Sequence, residues 1–197
     1  MPRKRRLVVS NVVYHVFNRR TDRQCLFPSP RAFDDFVGLL EEGRQKYPVR
    51  NHAYCLMDSH WHLALSSETD AAIGQYLRWL ATKHAVRFRW RSGTRGYGHV
   101  YQDRFKSKPV EGLVHYVTLV RYIEANALEA KLVDRAEHWR WSSLSERLCG
   151  RSRIIEPGPW ALPHNWIAIV NTPDIVTGLL PNLTAQTAAF RPAATFK

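Results

Sequence analysis

Residues 53–66 read AYCLMDSHWHLALS, and the two histidines inside this stretch decide how the rest of the chain is read. His60 and His62 lie two apart in a run of strand-forming apolar residues, so they leave one face of a strand with Cα atoms roughly 6.6 Å apart. Trp61, Leu63 and Leu65 then point the other way, into a core. Two imidazoles so spaced can share a metal ion, although a His-x-His pair by itself is more often packed or on the surface. A second stretch, residues 114–133 (VHYVTLVRYIEANALEAKLV), has helical patterning and places Tyr122 and Asn126 four apart on one face. In combination, the two stretches predict a histidine face and a tyrosine face meeting over a cation, with Tyr122 as nucleophile. Asn126 is the candidate third ligand, because an amide oxygen one turn from the tyrosine couples the two geometries. Two imidazoles and an amide oxygen, completed by water and phosphate, suit Mg²⁺ or Mn²⁺; zinc would bind the histidines as well or better.

Working outward, residues 49–57 form a strand, Asp58 and Ser59 a tight turn, and residues 60–66 its hairpin partner. Upstream, VVYHVFN (12–18) is a strand rich in β-branched and aromatic residues. Ser29 caps a helix whose apolar positions Phe33, Phe36, Val37 and Leu40 recur at helical spacing until about Lys46, before Pro48. Downstream, Asp70 is the expected cap of a helix over 71–91, and a fourth strand is expected over 100–110, ending near Pro109. The order β-α-β-β-α-β predicts an α+β, ferredoxin-like (RRM-like) antiparallel sheet with two helices on one face. The histidine strand is central in that arrangement, and the helix carrying Tyr122 has to cross the open face. A short helix is expected over 139–148. Residues 1–150 make the domain. Residues 151–197, with six of the eleven prolines, read as a partly docked extension whose apolar patches are 160–170 and 175–180 and whose end frays after about Leu183.

Charge narrows the partners. The 29 Lys and Arg against 17 Asp and Glu leave +12, which favours a polyanion. The cations form groups: an N-terminal arm, RKRR (3–6), with Lys4 and Arg5; Arg19 and Arg20 after the first strand; and a basic, aromatic-rich segment over 87–108. That segment interleaves Arg87, Arg89, Arg91, Arg95, Arg104, Lys106 and Lys108 with Phe88, Trp90, Tyr97, Tyr101 and Phe105, offering cations for phosphates and rings for unpaired bases. No run of about 18 apolar residues exists to span a membrane, and MPRKRR is not followed by a secretory apolar region. Cys25, Cys55 and Cys149 are odd in number and lack a Cys-x-x-Cys pair, which argues against a disulfide framework and fits a reducing cytoplasm.

The pieces YHVFNRR (14–20), CLMDSHWHLAL (55–65), GHVYQDRFKSKPVE (98–111), RYIEANALEAKLV (121–133) and WRWSSL (139–144) resemble, in order and over roughly 12–150, the REP-associated tyrosine transposases. These belong with the single-tyrosine HUH nucleases and the smallest insertion-sequence transposases. Two positions depart from that pattern: Ser59 stands where the family often has Asn, and Ala127 where Pro is usual. The resemblance implies single-stranded DNA carrying a hairpin as substrate, a 5′-phosphotyrosine intermediate with a freed 3′-hydroxyl, and a monomer or homodimer. Tyr116 and Tyr101 are the other candidate nucleophiles. Glu124 points roughly 200° from Tyr122 around the helix and is discounted. His15 is read as core packing before a ligand or phosphate contact, and His115 has no reading. A non-catalytic DNA- or RNA-binding regulatory module is the alternative; a hydrolase of small phosphates is disfavoured by the charge and by the absence of a phosphate-cradling glycine-rich motif.

Overall fold

The structure, a computed structural model, describes residues 9–21, 24–94, 98–150 and 153–172. Lys4, Arg5 and Arg95, the patch at 175–180 and the expected end near Leu183 lie outside them. Four strands, β1 (Tyr14–Arg19), β2 (Val49–Met57), β3 (His60–Ser67) and β4 (Lys106–Pro109), form one antiparallel sheet in the order β2-β3-β1-β4. The helices are α1 (Pro30–Lys46), α2 (Ala72–Ser92), α3 (Gly112–Glu129), α4 (Ser143–Leu148) and α5 (Trp166–Asn171), with a 3₁₀ turn at Ala136–His138. This is the expected α+β arrangement, with β3 and β1 central.

Alternation along the strands sorts two cores. Tyr14 and Val16 of β1, Tyr54 and Leu56 of β2, and Trp61, Leu63 and Leu65 of β3 pack against α1 and α2. Val13, Ala53, Cys55, Met57 and Ala64 face the other way and are covered by α3, with Trp166, Ile169 and Val170 of α5 behind it. Helix α1 is specified locally: Ser29 accepts from Ala32 N, Pro30 opens the first turn, and Phe33, Phe36, Leu39, Leu40 and Gly43 bury one stripe. Full burial of each such large side chain contributes about 1.5–3 kcal/mol. The exposed edge of β2 is closed by the tryptophan segment: Leu56 N donates to Trp141 O at 3.0 Å, Trp139 Nε1 to Leu56 O at 2.9 Å, and Trp141 stacks on Phe33 at 4.3 Å.

Two local expectations are corrected. The fourth strand covers Lys106–Pro109 only, where 100–110 was expected. Val100 and Tyr101 are buried, and Tyr101 forms a lone bridge with Arg20, just past the end of β1. Gln102, Asp103 and Arg104 then run beside β1 irregularly, their polar side chains giving no alternation to hold a ladder. Asp70 does not cap α2: the cap position is Ala71, and Asp70 Oδ1 instead accepts from Ser10 N at 2.7 Å, tying down the incoming chain.

Tyr101 completes a buried polar chain. Trp61 Nε1 donates to its hydroxyl at 3.2 Å, and the hydroxyl lies 2.7 Å from His84 Nδ1, so the phenol donates to a neutral imidazole. Burial, reinforced by Arg91 and Arg87, pushes His84 down to about 3 from 6.5. As pH falls from 6.5 toward 3, the unfolded chain takes up a proton that the folded chain refuses. The stability tied to neutral His84 is therefore fully present above pH 6.5 and lost below it, at up to about 1.4 kcal/mol per pH unit. His84→Leu is expected to flatten the fall of urea-unfolding free energy between pH 6.5 and 4; an unchanged slope would count against this assignment.

Candidate nucleic-acid-processing site

On the α3 side of the sheet, beyond the apolar cluster, lies a cleft of about 400 Å³ lined by Phe17, Asn18, Arg19, Ser59, His60, His62, Gln102, Asp103, Arg104, Lys106 and Tyr122. Strand alternation puts His60 and His62 there together, with ring centroids 5.1 Å apart and planes at 87°. Tyr122 reaches them from α3, edge-on to His62 at 5.4 Å and to His15 at 5.8 Å. It is 40% exposed, whereas its helix neighbours Arg121, Ile123 and Glu124 are buried, so its phenol faces the opening.

His15 closes the group. Its Nε2 lies 2.9 Å from His62 Nδ1, and the two rings stack at 5.2 Å. Burial holds all three imidazoles neutral: His62 falls to about 3 with His15 and His60 adding to the effect, His15 to about 4 with Lys108 and His115 adding, and His60 falls as well, with Arg19 adding. A neutral imidazole keeps the lone pair that a metal needs. Tyr122 is shifted upward by burial and then by Glu129 and Cys55, so its hydroxyl is protonated at neutral pH. Among the described residues no three His, Cys, Asp or Glu side chains group so as to hold a metal ion. His60 and His62, neutral and side by side, are the nitrogen donors that the cleft itself offers.

The remaining expected residues divide. Arg19, Arg104 and Lys106 line the cleft; Lys108 is exposed on β4, in register with His15. Arg20 stacks on Phe88 at 4.7 Å and bonds Cys25 O. Arg87, Arg89 and Arg91 lie on α2, on the other face of the sheet: Arg87 pairs with Glu42, Arg91 with Asp35, and Arg89 donates to Thr94 O. Asn126 does not line the cleft; its Nδ2 donates to Tyr122 O at 2.7 Å and Ile123 O at 3.3 Å, which leaves its oxygen as the atom able to coordinate. Of the other tyrosines, Tyr116 is buried against Trp160 and Tyr101 belongs to the His84 chain. His15, expected to pack in the core before serving as a ligand or phosphate contact, lies against His62 and shares strand parity with Phe17 of the cleft wall. His115 accepts from Glu111 N at the start of α3.

Two residues from Tyr122, Glu124 is fully buried and holds α3 in place. It accepts from Ser143 Oγ at 2.5 Å, Arg147 Nε at 2.8 Å and Trp166 Nε1 at 2.6 Å. Arg121 adds bonds to Ile169 O and Thr172 O, so residues of the C-terminal extension help fix the tyrosine helix.

Fold and cleft together define an α+β protein with paired neutral histidines and a tyrosine beside a basic wall. By sequence the chain belongs to the IS200-like transposases: residues 8–126, more than half of it, match the family described as Transposase IS200 like. In structure it is similar to a REP-associated tyrosine transposase bound to a REP hairpin, with TM-score 0.61 and 18% identity over 83% of this chain and 96% of that one. A candidate transposase from Deinococcus radiodurans R1 matches at TM-score 0.44 and 17% identity, over 62% and 96%. Among curated proteins, none matches.

Removing the Glu124 carboxylate would break the ion pair of Arg147, leaving that side chain its bond to His52 O, and strand two further donors. Glu124→Ala is expected to cost about 3–5 kcal/mol in urea unfolding, the range for breaking a buried pair, and Glu124→Gln less. A loss below about 1 kcal/mol in Glu124→Ala would show that the carboxylate and the bonds it accepts are not what holds the helix.

Proposed function

We propose that the protein nicks and rejoins single-stranded DNA through a covalent bond between Tyr122 and a 5′-phosphate, using Mg²⁺ or Mn²⁺ held by His60 and His62. The observation that carries this reading is the convergence of residues 60, 62 and 122 in one cleft of one chain, facing Arg19, Arg104 and Lys106. Membership of a transposase family supports DNA breakage and joining as the task, and the hairpin bound by the structurally similar REP transposase supports hairpin-bearing DNA as the substrate. The absence of any described helix able to cross a membrane is compatible with a cytoplasmic enzyme.

In this mechanism Arg19, Arg104 and Lys106 draw in the phosphodiester and align it. The cation, when bound, supplies charge against the phosphate oxygens. Tyr122 Oη attacks phosphorus, the bond to the 3′-oxygen breaks, the phenolic proton is released and the departing 3′-oxygen takes one up. The 3′-hydroxyl can reverse the step on the same or another strand, so the phosphodiester is conserved without water. Asn126, one turn along α3, is the proposed third ligand through its amide oxygen after a side-chain rotation.

Incubating the protein with a hairpin-bearing single strand and Mn²⁺ is expected to give a covalent adduct on a denaturing gel. Tyr122→Phe should abolish it, and His60→Ala or His62→Ala should reduce it by at least about 10²-fold, the scale of losing electrostatic stabilisation at the transition state. An adduct persisting in Tyr122→Phe would remove Tyr122 as nucleophile. Salt-sensitive binding with no adduct on any hairpin, unaltered by the histidine substitutions, would favour the non-catalytic binding module. Replacing Arg104 and Lys106 together with Ala should lower the slope of log affinity against log salt by about 1–2; an unchanged slope would take them out of the phosphate path.

A further inference from the structure

We propose that Ser59 and His15 are positioning residues that hold the Nδ1 edges of His60 and His62, so that both rings offer Nε2 to the same cation. The inference rests on the metal reading above and extends it to two side chains that would not themselves touch the metal.

A neutral imidazole has one N–H and one lone pair, and whichever nitrogen carries the proton cannot coordinate. The partner of the other nitrogen selects the tautomer. Here each of the paired histidines has a side-chain partner on the same atom. His15 Nε2 lies 2.9 Å from His62 Nδ1, and Ser59 Oγ lies 3.1 Å from His60 Nδ1. With the proton on Nδ1, His62 donates to His15 and His60 donates to the serine hydroxyl, and both Nε2 lone pairs remain for a ligand. The partners come from separate elements, the β2–β3 turn for Ser59 and β1 for His15, yet both lie against the Nδ1 edge of their histidine.

The surroundings suit this arrangement. The two rings stand at 87° with centroids 5.1 Å apart, as two ligands approaching one ion from different directions would, rather than as a stacked pair. His15 is seated by the β1–β3 ladder, its Cα opposite Ala64, which places it diagonally beside His62 on the same face. Ser59 is fixed by its own backbone, since its carbonyl accepts from Arg20 N at 2.9 Å. A serine at this position thus has a task that any short side chain with an acceptor oxygen would meet.

The test uses the full chain with ¹⁵N-labelled histidine, without DNA. Long-range ¹H–¹⁵N spectra of the metal-free protein are expected to show His60 and His62 protonated on Nδ1 with unprotonated Nε2. His15→Phe should move His62 toward the opposite tautomer and weaken Mn²⁺ binding, measured by calorimetry, by about 10–100-fold. His15→Gln, which keeps an acceptor, should retain most of both. Ser59→Ala should do to His60 what His15→Phe does to His62, and Ser59→Asn should restore it. The proposal is overturned if His62 or His60 carries its proton on Nε2 in the metal-free wild type, if Mn²⁺ does not bind, or if His15→Phe and Ser59→Ala leave tautomers and affinity unchanged. Because tautomers and affinity are read without substrate, the expected spectra from a protein that forms no adduct would defeat the nicking reading while leaving this one standing.

Discussion

The two-residue alternation of β3 is the constraint on which the rest depends. Trp61, Leu63 and Leu65 are almost wholly buried beneath α1 and α2, and that burial alone obliges His60 and His62 to face α3. A slip of one residue would drive two imidazoles into the helix-covered core and set an indole in the cleft. Three features oppose such a slip. Trp61 is anchored by the Tyr101 hydroxyl, the turn before β3 is held where Leu26 N and Phe27 N donate to Asp58 O, and β1 pairs Phe17 with His62 and Asn18 with Trp61. Core and site are therefore set by one register, and the energy that buries the tryptophan also orders the histidines.

The second half of the site depends on α3, which is anchored differently. Where β3 is held by apolar burial, the tyrosine helix is held by buried charge. Glu124 and Arg121 point away from the cleft into bonds with α4, α5 and the chain that follows, and Tyr122, between them in sequence, is left facing out. Buried ionic groups add little net stability relative to an apolar replacement, but they restrict the ways a helix can sit. In the proposed reaction α3 aligns a hydroxyl with a phosphorus, a task that gains from that restriction. The extension thereby enters the site indirectly, through the rotation it imposes on α3.

Much of this was readable in the sequence because it follows from periodicity. The paired histidines, the hairpin, α1 with its Ser29 cap and the helix presenting Tyr122 all rest on spacings of two or of three to four residues. Contacts between elements distant in sequence were hidden. Arg87 and Arg91 look like nucleic-acid cations in a linear tally, but in the fold they meet Glu42 and Asp35 of α1. His15 looked like packing because nothing within β1 reveals that its face abuts His62. The fourth strand is shorter than its side chains suggest, because Val100 and Tyr101, though strand-like, are buried as single anchors rather than in a ladder. Helix geometry alone turns Glu124 away from Tyr122, but its structural role rests on the positions of Ser143, Arg147 and Trp166.

The electrostatics of the cleft bear on the order in which the proposed reaction must proceed. Its imidazoles are neutral, its phenol is protonated, and among the ionisable side chains lining it only Asp103 is acidic, against Arg19, Arg104 and Lys106. Burial, Glu129 and Cys55 all oppose a phenolate at Tyr122, so the resting site has little tendency to make its own nucleophile. In the proposed reaction, a cation held by the histidines would offset that balance, and the leaving oxygen of the phosphodiester would take up a proton as the phenol loses one. The protein's share is to keep two lone pairs available and one hydroxyl aimed without ionising either prematurely. Burial does both, lowering the imidazoles and raising the phenol by the same desolvation. A more open cleft would bring the phenol closer to its ordinary acidity and return the histidines toward their ordinary value near 6.5, so the enclosure given by β3 and α3 keeps the imidazoles neutral over a wider pH range while leaving the phenol protonated.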